Sequence, residues 1–349
     1  MISRRTLMGV APFVGAAALA GAGAASAQPA ARTYRLGWLI TAELWKEPHY
    51  VAFVQRLGEL GLIEGRNLVI ERRHAGNRLE MLAPMAAELG RLQCDAFFGG
   101  GAEANLAALA SATSNTPIVF VAVDFDPVAT GDVASLARPG GRVTGITALQ
   151  SVLPAKRLEL LREALPQVNK VAVLANEQTS AQLALTQGTA RRLGMELQVI
   201  DLKRPPFDLE AGFGEAVRAN AQAMLVLGSG LWVPSRGDIH RLAKRVRLPT
   251  VFHQAEWVAT GGLMSYGFSF PAMWRRGAEM VVAVLRGARA GEMQMEQPTS
   301  YELAINLSTA RARHSTAAVD PDPSRSRGWR LTRRFLDRSQ AGITKEAVS

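Results

Sequence analysis

Along most of the chain, short β-branched apolar runs alternate with longer segments of helical periodicity, and few folds accept that order. The runs YRLGWLI (34–40), NLVIERRH (67–74), DAFFGG (95–100) and PIVFVAV (117–123) are separated by helical patterns near 48–60, 79–92 and 102–113. After a helix near 154–164 a second series begins with KVAVLAN (170–176), ELQVIDL (196–202), AMLVLGS (223–229) and PTVFH (249–253), spaced by helices near 179–193, 208–219 and 235–246. Strands joined by helical crossovers run parallel, and apolar runs of this kind need cover on both faces. The pattern predicts an α/β protein of two Rossmann-like lobes, each a parallel sheet between helices, and 349 residues suffice for two such units.

The first 27 residues read as a secretory signal. Arg4 and Arg5 precede a short apolar stretch of small residues that ends in Ala25-Ser26-Ala27, with cleavage expected after Ala27. The order Ser3-Arg4-Arg5-Thr6-Leu7 fits either twin-arginine or general export. The exported product, placed in the periplasm, is expected to use no internal disulfide, because Cys94 is the single cysteine and sits in an apolar run as a buried small hydrophobe. The five His residues (49, 74, 240, 253, 314) have no metal-ligand spacing, so neither a metal nor another cofactor is expected.

A net charge of +10 suggests nucleic acid until the charge is located. Residues 1–27 carry +2, and residues 311–349 carry nine basic against four acidic side chains, which leaves +3 on the body. That is an ordinary surface, so no nucleic-acid partner is expected.

Ligands of open parallel sheets sit beyond the carboxyl ends of the strands. The residues expected there are Trp38 and Thr41 after the first strand, Gly100, Gly101 and Ala102 after the third, Asp124 after the fourth, Asn176 and Thr179 after the first strand of the second half, and Ser229 and Trp232 after a later one. Gln150, His253 and Tyr266 complete the candidate ligand-binding set. Trp45, Phe125 and Trp257 also fall near strand ends, and so many aromatics favour an amino acid, an aromatic or a carboxylated organic compound over a sugar.

The motif GGGAEA (99–104) offers a different reading, because it matches G-x-G-x-x-A at the start of a helix with Asp124 about 20 residues on, the spacing of a nicotinamide-binding oxidoreductase. Against it, two βα units precede this strand, and Glu103 would lie beside the pyrophosphate. GLMSYG (262–267) lacks the glycine two residues before Ser265 that a hydrolase elbow requires. No catalytic constellation is visible, and the chain is not expected to be an enzyme.

RLGELGLIEGRNLVIERRHAGNRLEMLAPMAAELGRLQCD (56–95), TPIVFVAVDFDPVATGDVASLARPGGRVTGIT (116–147), KRLELLREALPQVNKVAVLAN (156–176), GGLMSYG (261–267) and EQPTSYELAINLSTA (296–310) resemble ABC-transporter substrate-binding proteins, in particular the tryptophan- and tyrosine-type components with the type I periplasmic-binding fold. The resemblance covers roughly residues 33–310 and is most specific from Asp126 to Gly145. It implies a monomer of two lobes, a hinge crossed three times, a small molecule trapped between the lobes, and delivery to an inner-membrane permease. A periplasmic sensory module of the same fold, addressed to a membrane receptor, stays open beside transport.

On this layout the N-terminal lobe takes 33–148 and about 266–298, and the C-terminal lobe 149–265 and about 299–312. The crossings are expected near Ala148–Ser151, Ser265–Gly267 and Pro298–Tyr301. In the run from Asp124, Pro127 starts a turn and Val128–Ala137 is expected to be a short helix facing the cleft. Asp124 and Asp126 then either cap that helix or accept from a ligand amine. Two departures from the family stand out: Ala102-Glu103 replaces a small polar residue, and Gly228-Ser229-Gly230-Leu231 lacks the usual acidic one. The tail 313–349 departs as well, being basic, without periodicity, and expected to be disordered from about His314 as a frame-shifted or diverged extension.

Overall fold

The structure is a computed structural model that describes residues 32–310 apart from 42 and 44, together with 332 and the pair 346–347. The first sheet is built from β1 (Tyr34–Ile40), β2 (Leu68–His74), β3 (Ala96–Gly101), β4 (Ile118–Val123) and β5 (Val143–Ala148), all parallel in the order β2-β1-β3-β4-β5. The connecting helices are α1 (Pro48–Glu59), α2 (Leu82–Arg91) and α3 (Glu103–Ala112). Successive strand residues serve opposite faces: Phe98, Val119 and Val121 join one core with Tyr50, Phe53 and Leu57 of α1, while Phe97, Ile118 and Phe120 join another with Leu82, Ala86, Leu106 and Leu109 of α2 and α3. Because both faces are covered, these strands read as unbroken apolar runs.

The second lobe repeats the plan with α4 (Leu153–Ala164), β6 (Lys170–Ala175), α5 (Ser180–Leu193), β7 (Glu196–Asp201), α6 (Leu209–Arg218), β8 (Ala223–Val226), α7 (Arg236–Arg245), β9 (Thr250–Phe252), α8 (Ala255–Ala259), β10 (Met264–Phe268) and β11 (Ser300–Ile305). Its sheet runs β11-β10-β9-β8-β6-β7, parallel except for β11, and a two-residue strand β12 (Glu346–Ala347) flanks β11 antiparallel. The chain returns to the first lobe as α9 (Phe270–Leu285), a helix not anticipated from the sequence pattern, which lies beside α1 and buries Met273, Trp274, Ala278 and Val281.

The two lobes anticipated from the strand pattern are therefore present, with three local differences. The second crossing does not fall at 265–267, because β10 stays in the second sheet through Phe268. Residues 128–137 form turns in place of a helix. Asp126 Oδ1 accepts from the Val128 amide at 2.9 Å and Thr130 bonds back to Asp126, but Gly131 at φ 81° leaves the helical region after one turn. This loop is pinned instead by the third crossing: the Gly140 amide donates to Gly291 O and the Met295 amide to Leu136 O, and Glu296 bridges to Gly145 and Thr147 at the edge of β5. Finally, two described parts of the tail are docked. The Thr332 amide and hydroxyl donate to Ala164 O and Glu163 O, and β12 occupies backbone groups that β11 presents at the sheet edge. The rest of the expectation for the tail, and the signal sequence, lie outside the described residues. Among the described residues no helix is long and apolar enough to cross a membrane.

Candidate functional site

The strand ends of the two lobes meet around Asp124. It follows β4 with φ 65°, a left-handed conformation that is costly for a side-chain-bearing residue although Asp bears it better than most. Its amide donates to Ala148 O at 2.9 Å, so the end of β5 holds the turn. The carboxylate points across the cleft, where Gln182 Nε2 on α5 donates to Oδ2 at 2.7 Å. Gln182 also brackets the backbone of Gly228, donating to its carbonyl at 2.7 Å and accepting from its amide at 2.9 Å. Asp124 Oδ1 makes no hydrogen bond of full geometry, although the Ser151 and Gln150 amides lie near enough to the carboxylate to favour its charge. Burial holds the carboxyl above its ordinary value of 3.8, opposed by the Gln182 hydrogen bond, the Ser151 amide and the Arg157 guanidinium.

Arg157, on α4, is fully buried. Its Nε donates to Tyr266 O at 2.7 Å, Nη2 reaches Gln150 Oε1 at 3.5 Å, and Nη1 has no partner. Burial pulls its pKa down to about 9, against the pull of Asp124, so it stays cationic at neutral pH. His253 at the end of β9 is similarly enclosed, with Nδ1 unpartnered; burial, and then Arg157 and His49, hold it neutral with a pKa of about 3. His49 at the start of α1 is pushed to about 3 by burial and by Arg236, its ring 4.7 Å from Trp274. Ser265 Oγ on β10 and Asn176 Nδ2 beyond β6 are also buried without partners. Buried polar atoms are nearly always paired. Asp124, Arg157, Asn176, His253 and Ser265 together therefore leave an acceptor, a cationic donor and neutral polar atoms free for something that sits between the lobes.

The residues anticipated from sequence divide. Asp124, His253, Gln150 and the backbone of Tyr266 belong to this network, whereas Asn176 caps its own turn and keeps only Nδ2 unpaired. Gln150 is buried against Gly228, where a Cβ would lie 2.8 Å from its Oε1. Gly101 has φ 118° with nothing near its Cβ position, and Ala102 is the uncapped N-cap of α3, so both present backbone. Thr41 lies just past β1, its carbonyl accepting from the Asn77 amide. The others are engaged in the fold. Trp38 lies inside β1, where its ring meets Tyr50, Phe53 and Phe98 in the core. Gly100 lacks a side chain because Trp274 would lie 2.8 Å from its Cβ. Thr179 and Asn176 cap each other, and the Thr179 hydroxyl is spent there. Trp232 is fully buried with its indole N–H on Leu227 O at 3.1 Å. Ser229 donates to Gln178 Oε1 at 2.8 Å and accepts from the Leu231 amide, so its hydroxyl is committed as well. Of the two acids in the turn, Asp126 is the local cap and Asp124 the cleft residue.

Arg157, Gln182 and His49 were not anticipated, yet a signal existed. In α4 the buried stripe runs Leu153, Arg157, Leu161 and Ala164, and in α5 Gln182, Thr186 and Thr189. A long polar side chain on an inward stripe needs a buried partner.

The matched family profile is described as "ABC transporter substrate binding protein" and covers residues 49–317. A curated relative from Clostridioides difficile, "Tyrosine-binding protein", is 24% identical over 274 residues, covering 74% of each chain. Two solved structures share the fold. A conserved domain protein from Vibrio cholerae has a TM-score of 0.75 at 22% identity, covering 88% of this chain and 98% of that one. An ABC domain in complex with L-Trp from Streptococcus pneumonia has a TM-score of 0.72 at 18% identity, covering 87% and 98%. The oxidoreductase reading of GGGAEA finds no support among them, and Gly99 and Gly100 are explained by packing against Leu109 and Trp274. With a two-lobed type I binding fold and a profile match across most of its length, this chain belongs to the ABC transporter substrate-binding protein family.

Proposed function

We propose that this protein captures a zwitterionic amino acid with an aromatic or apolar side chain outside the cytoplasm and presents it to an ABC permease. The observation that carries the reading is the coexistence, in one buried interlobe network, of a carboxylate oxygen and a guanidinium nitrogen that make no hydrogen bond of full geometry, Asp124 Oδ1 and Arg157 Nη1. A ligand ammonium satisfies the first and a ligand carboxylate the second, so a solute bearing both groups pairs each buried charge and leaves none of its own unpaired. Gly101 and Ala102 at the start of α3 leave backbone without a side-chain cap, which supports an anion-accepting end of the site. The tyrosine- and tryptophan-binding relatives support the same ligand class. The signal-like residues 1–27 support export to the periplasm.

Calorimetry on the mature chain with L-tyrosine, L-tryptophan, L-phenylalanine, tyramine and 4-hydroxyphenylpropionate tests it. At least one amino acid is expected to bind, and the compounds lacking the carboxylate or the amine are expected to bind at least about 30-fold more weakly, since leaving a buried charge unpaired costs roughly 2 kcal/mol or more. Equal affinity for an amino acid and its deaminated analogue removes Asp124 as the amine site and with it the zwitterion.

A further inference from the structure

The loop that enters α1 carries Glu47, and the helix that leaves the 230–235 turn opens with Arg236; the two residues belong to different lobes and are 189 positions apart in sequence. Their side chains meet in a two-pronged pair, Arg236 Nη1 to Glu47 Oε2 at 2.8 Å and Nη2 to Oε1 at 3.1 Å. Both are largely sheltered, with side-chain exposures of 23% and 16%, which sets the pair apart from freely hydrated surface pairs.

Local chemistry accounts only in part for where the two residues sit: the dipole of α1 favours an acid at Glu47, and Trp257 and Glu256 lie near Arg236 in its own lobe. Glu47 is the N-cap residue of α1, yet its carboxylate makes no cap hydrogen bond and reaches across the cleft instead. Arg236 is the first residue of α7, the end of a helix where a cation is disfavoured by the helix dipole. Within its own lobe its guanidinium has the Trp257 ring, 5.9 Å away. When the lobes close, the carboxylate compensates the misplaced cation; when they part, Arg236 is left at the positive end of α7.

The pair shares no hydrogen bond with the Asp124–Gln182 link. Glu47 enters α1 beyond β1 and Asp124 follows β4, and β3 lies between those two strands in the first sheet. The Glu47–Arg236 pair and the Asp124–Gln182 hydrogen bond are thus two separate side-chain links between the lobes.

We propose that Glu47 and Arg236 are positioning residues that form a latch across the mouth of the cleft: they bias the lobes toward closure, slow the escape of bound solute, and contact no part of it. The latch rests on the reading of the cleft as a closing site, but not on which solute fills it.

Small-angle scattering of the ligand-free mature protein, with Glu47→Gln, Arg236→Gln and the reversed pair Glu47→Arg/Arg236→Glu, tests it directly. Each single variant is expected to show a larger radius of gyration than the parent, and the reversal is expected to recover most of the difference. Raising ionic strength should expand the parent and leave the single variants unchanged, because only the parent has a charge pair to screen. Stopped-flow dissociation of L-tryptophan as the probe should be about fivefold faster in each single variant, the upper range for a partly sheltered two-pronged pair, and restored in the reversal. Radii equal to the parent's in both single variants overturn the latch, as does a reversed pair that stays as open as the singles. The scattering needs no ligand, so the latch stands or falls even if L-tryptophan does not bind, whereas failure of every amino acid to bind counts against the proposed function alone.

Discussion

A few side chains in this protein are held in states that disfavour folding, and those states are testable one residue at a time. Asp124 is buried, left-handed, and held above the ordinary carboxylate value of 3.8. A carboxyl with a raised folded pKa loses stability as pH rises through that range, so the penalty is present at neutral pH and vanishes in acid. Asp124→Asn keeps an acceptor for Gln182 and is expected to melt higher than the parent at pH 7, with the gap closing toward pH 4, while amino-acid affinity falls; a variant that melts lower at pH 7 would mean that Gln182 and Arg157 hold the charge more strongly than burial opposes it. His49 and His253 behave in the opposite sense. Their folded values of about 3 lie below the ordinary 6.5, so the unfolded chain binds protons the native one does not, and stability falls as pH drops from 6.5 toward 3. His49→Phe, which suits the ring contacts to Tyr50, Phe270 and Trp274, should flatten that fall in a series of melting curves between pH 7 and 4. At Ala102 two readouts should separate: Ala102→Asp supplies the missing cap of α3, worth roughly 1 kcal/mol, yet sets a carboxylate against the ligand's own, so melting temperature rises or holds while affinity drops. Affinity unchanged in calorimetry would take this turn out of the site.

At the scale of elements, close backbone approach governs the first sheet. Gly145 in β5 has φ 143°, and a Cβ there would collide with the carbonyl oxygen of Phe120 in β4. Gly145→Ala is expected to cost more than about 4 kcal/mol, seen as insolubility or a collapse of the denaturant midpoint, since neither strand can shift without breaking the ladder that aims Asp124. A midpoint near the parent's would show that β4 and β5 can part. Most strands and helices lie within one or two residues of their expected positions, because period and cap residues are local properties. The stretch 128–137 departed because Asp126, Thr130 and Gly131 supply turn hydrogen bonds and a positive φ that outcompete continued helix. Arg157 and Gln182 were missed as site residues although their inward positions were countable, because an inward polar residue becomes meaningful only once its buried partner is known.

For the whole molecule the decisive property of the proposed site is that it is shared. Asp124 belongs to the first lobe, Arg157, Asn176 and His253 to the second, and Gln150 to the crossing between them. Binding should therefore shift the population from open toward closed without chemical change to the solute. Scattering with and without L-tyrosine should give a smaller radius of gyration with ligand, and mass spectrometry should return the ligand intact; tight binding at constant radius would confine the site to one lobe. The docked tail adds a correction to the simplest expectation for truncation. Because Thr332 bonds to the end of α4 and β12 covers the edge of β11, a chain ending after Ala312 is expected to fold and bind but to melt a few degrees lower, which a melting curve of the truncated protein checks.

The sequence by itself determined the class of fold, the two-lobe layout and the strand ends from which the cleft is built, since apolar period, crossover geometry and turn residues act over a few positions and leave their mark in order. It also singled out Asp124, Asn176 and His253, whose place at a strand end was enough to make them candidates. Which of the candidates keep free polar atoms was decided only in three dimensions. Thr179 and Ser229 lost theirs to local caps and Trp232 to Leu227 O, Trp38 keeps an unpaired indole N–H inside the core, and Arg157 gained its role from Tyr266 O and Gln150, which lie 109 and 7 positions away. Hydrogen-bond capacity is used up pairwise, and a partner far along the chain leaves no trace in the local sequence, which is also why the meeting of Glu47 with Arg236 came to light only with both lobes in place.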